Sequence, residues 1–270
     1  MKWAGGKRKL LTEIKLFINE EELRNHCLYE PFIGGGALSF DILNPCAIIS
    51  DINEELINVY LQIRDNPKEL IELLKMHKEH NCHDYYYEIR NLDRMEIFNS
   101  LSLVEKAART IYLNRVCYNG LYRVNSKGFF NVPYGRYVHP EIVFEEKIIK
   151  LSEYLKSNKV KIVCMDFEKA VKSAKAGDVV YFDPPYDYEE SGFISYTKKG
   201  FSRGDLKRLK RICDKLIKRG CHVIISNNDT SFVNALFSDK WYKIKHIFAS
   251  RMINCDGRKR QAVKEVIIYG

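Results

Sequence analysis

Asp183-Pro184-Pro185-Tyr186 is where reactive side chains and backbone constraint coincide in this sequence. The tetrapeptide follows Val179-Val180-Tyr181-Phe182, an apolar run of β-branched and aromatic residues that predicts a buried strand. Two prolines neither extend a strand nor enter a helix interior, so the backbone turns there. The turn leaves a carboxyl group and an aromatic ring at the carboxyl end of a strand, where ligands bind in open α/β sheets. A second constellation lies upstream. Gly34-Gly35-Gly36 follows a short apolar segment and opens a helical one, and Asp51 ends the next apolar run. Glycines permit a tight turn and close approach of a ligand to the backbone. A terminal acid one strand later can accept hydrogen bonds from ribose hydroxyls. Together they point to an adenosine-containing cofactor. A dinucleotide fingerprint would need glycine at position 39, which is serine, and Lys7 after Gly5-Gly6 is followed by Arg8 rather than Ser or Thr, which excludes a Walker loop. S-adenosylmethionine fits best, because it needs glycines and a ribose-binding acid but no phosphate cradle.

The elements that must hold these residues follow from periodicity. Residues 8–23 carry apolar positions at helical spacing, Cys27-Leu28-Tyr29 predicts a strand, 37–43 a helix, and Ala47 to Ser50 a second strand. Asn53 caps a helix running to about Arg64. From about 66 to 157 the α/β rhythm gives way to helical patterns and a turn at Asn125-Ser126-Lys127-Gly128-Phe129-Phe130, read as a hairpin. The rhythm then resumes with strands over 160–165, 179–182 and 222–226, a helix over 203–219, and a closing strand pair over 242–248 and 263–269. The fold class is α/β, a doubly wound sheet interrupted by an inserted module.

A net charge of +9 from 44 Lys and Arg makes a polyanionic partner plausible. The eight cysteines form no CxxC pair, and a chain of 270 residues needs no disulfide staples, so free thiols in a reducing cytoplasm are expected. The amino terminus has no apolar signal core and no run reaches membrane-spanning length. His77, His80, Cys82 and His83 have no matching ligands elsewhere at sensible spacing, so no metal is expected.

Five segments occur in a telling order: Lys2-Trp3-Ala4-Gly5-Gly6-Lys7, Glu30-Pro31-Phe32-Ile33-Gly34-Gly35-Gly36, Tyr118-Asn119-Gly120-Leu121-Tyr122-Arg123, Asn131-Val132-Pro133-Tyr134-Gly135-Arg136-Tyr137 and Asp183-Pro184-Pro185-Tyr186. Over essentially the whole chain this resembles the Dam-type DNA adenine-N6 methyltransferases, in which the glycine motif precedes the DPPY motif. The resemblance implies a Rossmann-like class I methyltransferase fold, a mixed seven-stranded sheet with an inserted, mainly helical DNA-recognition domain bearing a β-hairpin. Residues 1–65 and 158–270 would be the catalytic domain and 66–157 the target-recognition insertion. It further implies cofactor contacts from Trp3, Lys7, Phe32, Gly34, Gly36, Asp51, Asp166, Phe167 and Asp183. DNA contacts would come from Lys2, Asn119, Leu121, Arg123, Pro133 and Tyr137, with GATC in double-stranded DNA as target and no obligatory protein partner.

The reaction so implied is direct methyl transfer from S-adenosylmethionine to the exocyclic amine of adenine, leaving S-adenosylhomocysteine. Asp183 and the Pro184 carbonyl would each accept one amine N–H, turning the lone pair towards the methyl, and Tyr186 would stack on a base flipped out of the duplex. Lys198, Lys199, Arg203, Lys207, Arg208, Lys210, Arg211 and Arg258-Lys259-Arg260 are expected to face phosphates, or simply solvent. Pro45-Cys46 matches the pair that a cytosine-carbon methyltransferase needs but lies far in order from the catalytic strand. Two other readings are an RNA or protein-amide methyltransferase, which often has Asn in place of Asp183 and lacks the long insertion, and a DNA-binding protein of this fold without catalysis. Intact Asp183, Tyr186 and Asp51 speak against the last.

Overall fold

The computed structural model describes residues 10–157, 159–188, 200–250 and 262–270. The first half contains α1 (Leu11–Lys15), α2 (Glu20–Leu23), β1 (Leu28–Glu30), α3 (Ser39–Ile42), β2 (Ala47–Asp51), α4 (Glu54–Asp65), α5 (Pro67–Glu79), α6 (His83–Asn91), α7 (Ile97–Ser100) and α8 (Leu103–Val116). The second contains α9 (Glu145–Leu155), β3 (Val160–Cys164), α10 (Phe167–Ala170), β4 (Val179–Phe182), α11 (Arg203–Lys218), β5 (His222–Asn228), α12 (Ser231–Leu236), β6 (Lys243–Ser250) and β7 (Ala262–Tyr269). Seven strands form one sheet in the order β3-β2-β1-β4-β5-β7-β6. β1 pairs in parallel with β2 and β4, and β4 with β5, whereas β7 runs antiparallel to both β5 and β6. This is the mixed seven-stranded α/β sheet expected. Strand order reverses between β1 and β4, so the glycine loop after β1 and the proline turn after β4 leave the sheet at its switch point.

Alternation along the strands explains the layers. Val179 and Tyr181 of β4 join Leu10, Ile14, Leu28, Ile224 and Ile267 in one core. Val180 and Phe182 join Tyr29, Leu206, Leu209, Val223, Ile225 and Val266 in the other. β4 is buried throughout, which is why its sequence reads as a continuous apolar run.

Some local expectations need correction. The single helix over 8–23 is two short ones among the described residues, because the Asn19 side chain accepts from the Glu22 amide and restarts the helix. The helix over 37–43 shrinks to α3, which ends where Leu43 turns left-handed at φ 52°. The expectation of free thiols fails at one pair. Cys27 and Cys46 immediately precede the paired strands β1 and β2, so Leu28↔Ala47 register brings their Cα atoms within 4.6 Å and they form a disulfide.

By contacts the chain divides into two compact units, one of them carried by Asn53–Cys164. In that unit α8 packs on α4 and α5 and is started by a reciprocal Ser102–Glu105 capping box. Its Arg109, almost wholly buried, pairs with Asp93 at 2.9 Å and donates to the Ile89 and Arg90 carbonyls. Asp93 in turn accepts from the Phe130 amide at 2.8 Å, and Arg94 donates to the Phe130 carbonyl at 2.7 Å. These bonds brace the hairpin read from sequence, in which Val124 faces Phe130 and the Asn125 side chain accepts from the Lys127 and Phe129 amides.

Candidate active site

Three carboxyl groups converge on the turn after β4. Asp183 is half-buried and Pro184 buried. Glu30, the last residue of β1, is 2% exposed and accepts hydrogen bonds from the Ser39 amide at 2.9 Å and from the Ser39 hydroxyl. Burial drives its pKa up to about 8, against the pull of Ser39 and with a further push from Asp183. Glu265 of β7 accepts from the Tyr186 hydroxyl at 3.1 Å. Burial, then Asp183 and Glu265, raise the Tyr186 phenol well above its usual range, so it stays a neutral donor. Tyr181 is raised likewise, first by burial and then by Asp183, and shares a 2.9 Å hydrogen bond with Ser226.

The residue after the turn is held still more tightly. The Asp187 amide donates to Asn227 Oδ1 at 3.0 Å and its carbonyl accepts from Asn228 Nδ2 at 2.7 Å, both at the end of β5. Its carboxyl accepts from Arg203 Nε at 2.9 Å and Nη2 at 3.1 Å, and from the Thr230 hydroxyl at 2.8 Å. The proline turn is therefore anchored at its exit, and its acceptors need little reorganisation to meet a substrate.

The glycine loop forms a second cluster. After β1 the Ile33 amide still reaches the Ser50 carbonyl of β2, and Gly36 then closes a tight turn on the Ile33 carbonyl at 2.7 Å. Gly34 and Gly36 have φ of 44° and 66°, and a Cβ on Gly36 would lie 2.1 Å from the Phe40 ring. The Gly34 amide donates to Asp51 Oδ2 at 3.3 Å. The Met165 amide donates to the Asp51 carbonyl at 3.1 Å, which brings Asp166 and Phe167 alongside the end of β2. Phe32 meets Phe167, Phe201 and Phe182 with ring centroids 5.2, 5.7 and 6.4 Å apart. Asp166 caps α10 and is gripped in bidentate fashion by Arg208, at 3.0 and 2.9 Å, whose guanidinium lies 4.3 Å over the Phe167 ring. Phe32, Gly34, Gly36, Asp51, Asp166 and Phe167 are thus brought together. Two carboxyls and an aromatic wall suit a ligand with hydroxyl and amine donors on a planar ring. Lys2, Trp3 and Lys7 lie outside the described residues.

Within Asn53–Cys164, Asn119 is exposed with φ 57°, and Tyr118 and Gly120 flank it in a short turn. The Tyr118 amide bonds the Pro133 carbonyl at 2.8 Å, tying the two sequence motifs together. Leu121 and Tyr137 are half-buried, and Arg123 and Pro133 exposed. The Tyr137 phenol is raised by burial, partly offset by the Asn119 backbone. Arg123 Nε donates to Asn131 Oδ1 at 2.8 Å, which fixes the direction of an exposed guanidinium.

The model of the D12 class N6 adenine-specific DNA methyltransferases matches residues 3–253. The chain belongs to that family. It is 48% identical to the type II methyltransferase M1.LlaDCHI of Lactococcus lactis subsp. cremoris, over 100% of this chain and 94% of that protein. It is 40% identical to the type II methyltransferase M.MjaIII of Methanocaldococcus jannaschii, over 99% and 97%. The DNA adenine methylase of Haemophilus influenzae is 34% identical, over 100% and 93%. Membership sets aside the readings as an RNA or protein-amide methyltransferase and as a non-catalytic DNA-binding protein.

For this D12-class enzyme the expectation of a basic helix facing phosphates is revised. Arg203 is committed to Asp187, Arg208 to Asp166, and Lys210 to Asp214 and Asp239. Short acidic neighbours lie within reach of each, and a local ion pair needs no partner molecule. Lys207 and Arg211 are exposed, and Lys198, Lys199 and Arg258 to Arg260 lie outside the described residues. His77 stacks on Tyr112 and bonds the Tyr85 hydroxyl, His80 bonds the Met76 carbonyl, and Cys82 caps α6. Among the described residues no three metal-ligating groups are assembled, and no helix is long and apolar enough to cross a membrane. Glu30, Asp187, Arg208 as the partner of Asp166, and Glu265 were missed as site residues. Glu30 alone carried a signal, an acid ending an apolar strand as Asp51 does.

Proposed function

We propose that the enzyme transfers the methyl group of S-adenosylmethionine to N6 of an adenine flipped out of double-stranded DNA, with GATC as the recognition sequence. The observation that carries this is the anchored Asp183-Pro184-Pro185-Tyr186 turn, at the switch point of the sheet and beside the Asp51–Asp166 cluster. The bound donor supplies an electrophilic methyl on a sulfonium centre. Asp51 would hold its ribose hydroxyls, Asp166 and Phe167 its adenine, Phe32, Gly34 and Gly36 the rest of its outline, with Trp3 and Lys7 completing the set. Asp183 and the Pro184 carbonyl accept the two N–H groups of the target amine, so that the amine lone pair is aimed rather than merely present. Asp183 also stabilises positive charge developing on the nitrogen. Tyr186 stacks on the extruded base.

Residues 66–157 act as the target-recognition module between catalytic segments 1–65 and 158–270. Asn119, Leu121, Arg123, Pro133 and Tyr137, with Lys2, read or flank the bases. The Arg123 guanidinium, held by Asn131, suits bidentate pairing with guanine. GATC rests on the resemblance that the five ordered motifs carry. The test is incubation with labelled S-adenosylmethionine and unmethylated double-stranded DNA, followed by mapping of methylated adenines. Label on adenine N6 within GATC is expected; label on another base, or at unrelated sequences, would overturn the chemistry or the specificity respectively. Asp183→Ala should abolish transfer while DNA binding stays measurable.

A further inference from the structure

Glu265 is a buried acid in β7, a strand whose other charged residue, Lys264, is exposed. The residues that follow it, Val266, Ile267 and Ile268, are wholly buried, while Glu265 itself is 5% exposed. Its register partners are Asn228 on β5 and Ile247 on β6. Packing alone gives no reason for a carboxyl at this position, and a buried polar group needs a partner. It has one in the Tyr186 hydroxyl, 3.1 Å away and 79 residues distant in sequence.

We infer that Glu265 is a positioning residue for methyl transfer, acting through Tyr186 to hold the tyrosine ring in the place where it receives the target base. This rests on the reading of Tyr186 as the stacking platform. Backbone anchoring by itself leaves the first side-chain torsion of Tyr186 a choice of staggered wells, and so leaves open where the ring axis points. Asn227 and Asn228 of β5 pin the backbone just beyond the ring through Asp187. Glu265 of the neighbouring β7 pins the far end of the ring through its hydroxyl. Two adjacent strands thereby fix both ends of one side chain, and a site held on strands is more exact than one held on loops. The phenol is kept protonated in this surrounding, so its donor role is constant across the working pH range.

The experiment measures methyl transfer from tritiated S-adenosylmethionine to unmethylated bacterial genomic DNA. It compares the wild-type chain with Glu265→Ala, Glu265→Gln, Tyr186→Phe and the Tyr186→Phe/Glu265→Ala pair, and follows thermal unfolding of each. Glu265→Ala should lower kcat about tenfold, the worth of a buried hydrogen bond, with KM for the methyl donor changed less than about twofold. Glu265→Gln, which retains an acceptor oxygen, should recover most of the rate. In the Tyr186→Phe background the Glu265→Ala change should cost less than about twofold, since the bond is already gone. Losses that multiply, or a lower melting temperature with kcat unchanged, would overturn the positioning role. Failure of the wild-type chain to methylate adenine in that DNA would instead overturn the functional reading on which it rests.

Discussion

Replacing Glu30 by glutamine should flatten the pH dependence of folding stability. Glu30 ends β1, is 2% exposed, and ionises near pH 8 in the fold, mainly because burial penalises its charge, against about 4.5 for the unfolded chain. The folded state therefore holds this proton more tightly than the unfolded state does. The stabilisation is complete below the unfolded value of 4.5 and is lost progressively as pH rises to about 8. At about 1.36 kcal/mol per pH unit the loss across that interval is roughly 5 kcal/mol. Glutamine has an oxygen that can accept from the Ser39 amide and hydroxyl, as Glu30 does, but it has no proton to lose. Guanidinium unfolding of both chains at several pH values between about 5 and 8 measures the difference. The stability gap in favour of Glu30→Gln should widen by about 4 kcal/mol over that range. A gap independent of pH would refute the assignment of a neutral, buried Glu30 and with it the electrostatic coupling to Asp183.

Three further outcomes are expected. Arg109→Met should destabilise by about 1–3 kcal/mol in urea unfolding, because the buried Asp93, which also accepts from the Phe130 amide, loses one of its two guanidinium partners and keeps only Arg94. Arg208→Ala should raise KM for S-adenosylmethionine several-fold with little change in kcat, since it frees the Asp166 carboxyl from its bidentate partner and leaves Asp183 untouched; unchanged KM in steady-state kinetics would count against Asp166 as a cofactor contact. Arg123→Ala should reduce discrimination at one base pair by about 1–3 kcal/mol, read from methylation rates on singly substituted duplexes, whereas an equal loss on all sequences would contradict base reading.

Most of the fold was legible because its signals are local. Val179 to Phe182 is continuously apolar since β4 is buried on both faces, and the prolines that follow force the exit turn. Asn53 announces α4 through its own capping bond. Helix lengths near the amino terminus were less legible, because whether residues 8–23 run as one helix depends on a side-chain bond at Asn19 competing with the next turn.

Local patterns of residues sufficed to say which segments become strands, where the chain must turn, and that a glycine loop and two acids at strand ends belong to one kind of site. How those groups are partnered emerges from long-range packing. Tyr186 meets Glu265 across 79 residues, Asp166 meets Arg208 across 42, and Asp187 meets Thr230 across 43. Each pairing follows from strand order and helix placement, which are settled by burying both faces of the sheet at once, and no residue within one turn or one strand of these side chains carries that information. The same cause moved Arg203 and Arg208 from an expected phosphate-facing surface into ion pairs that hold the site.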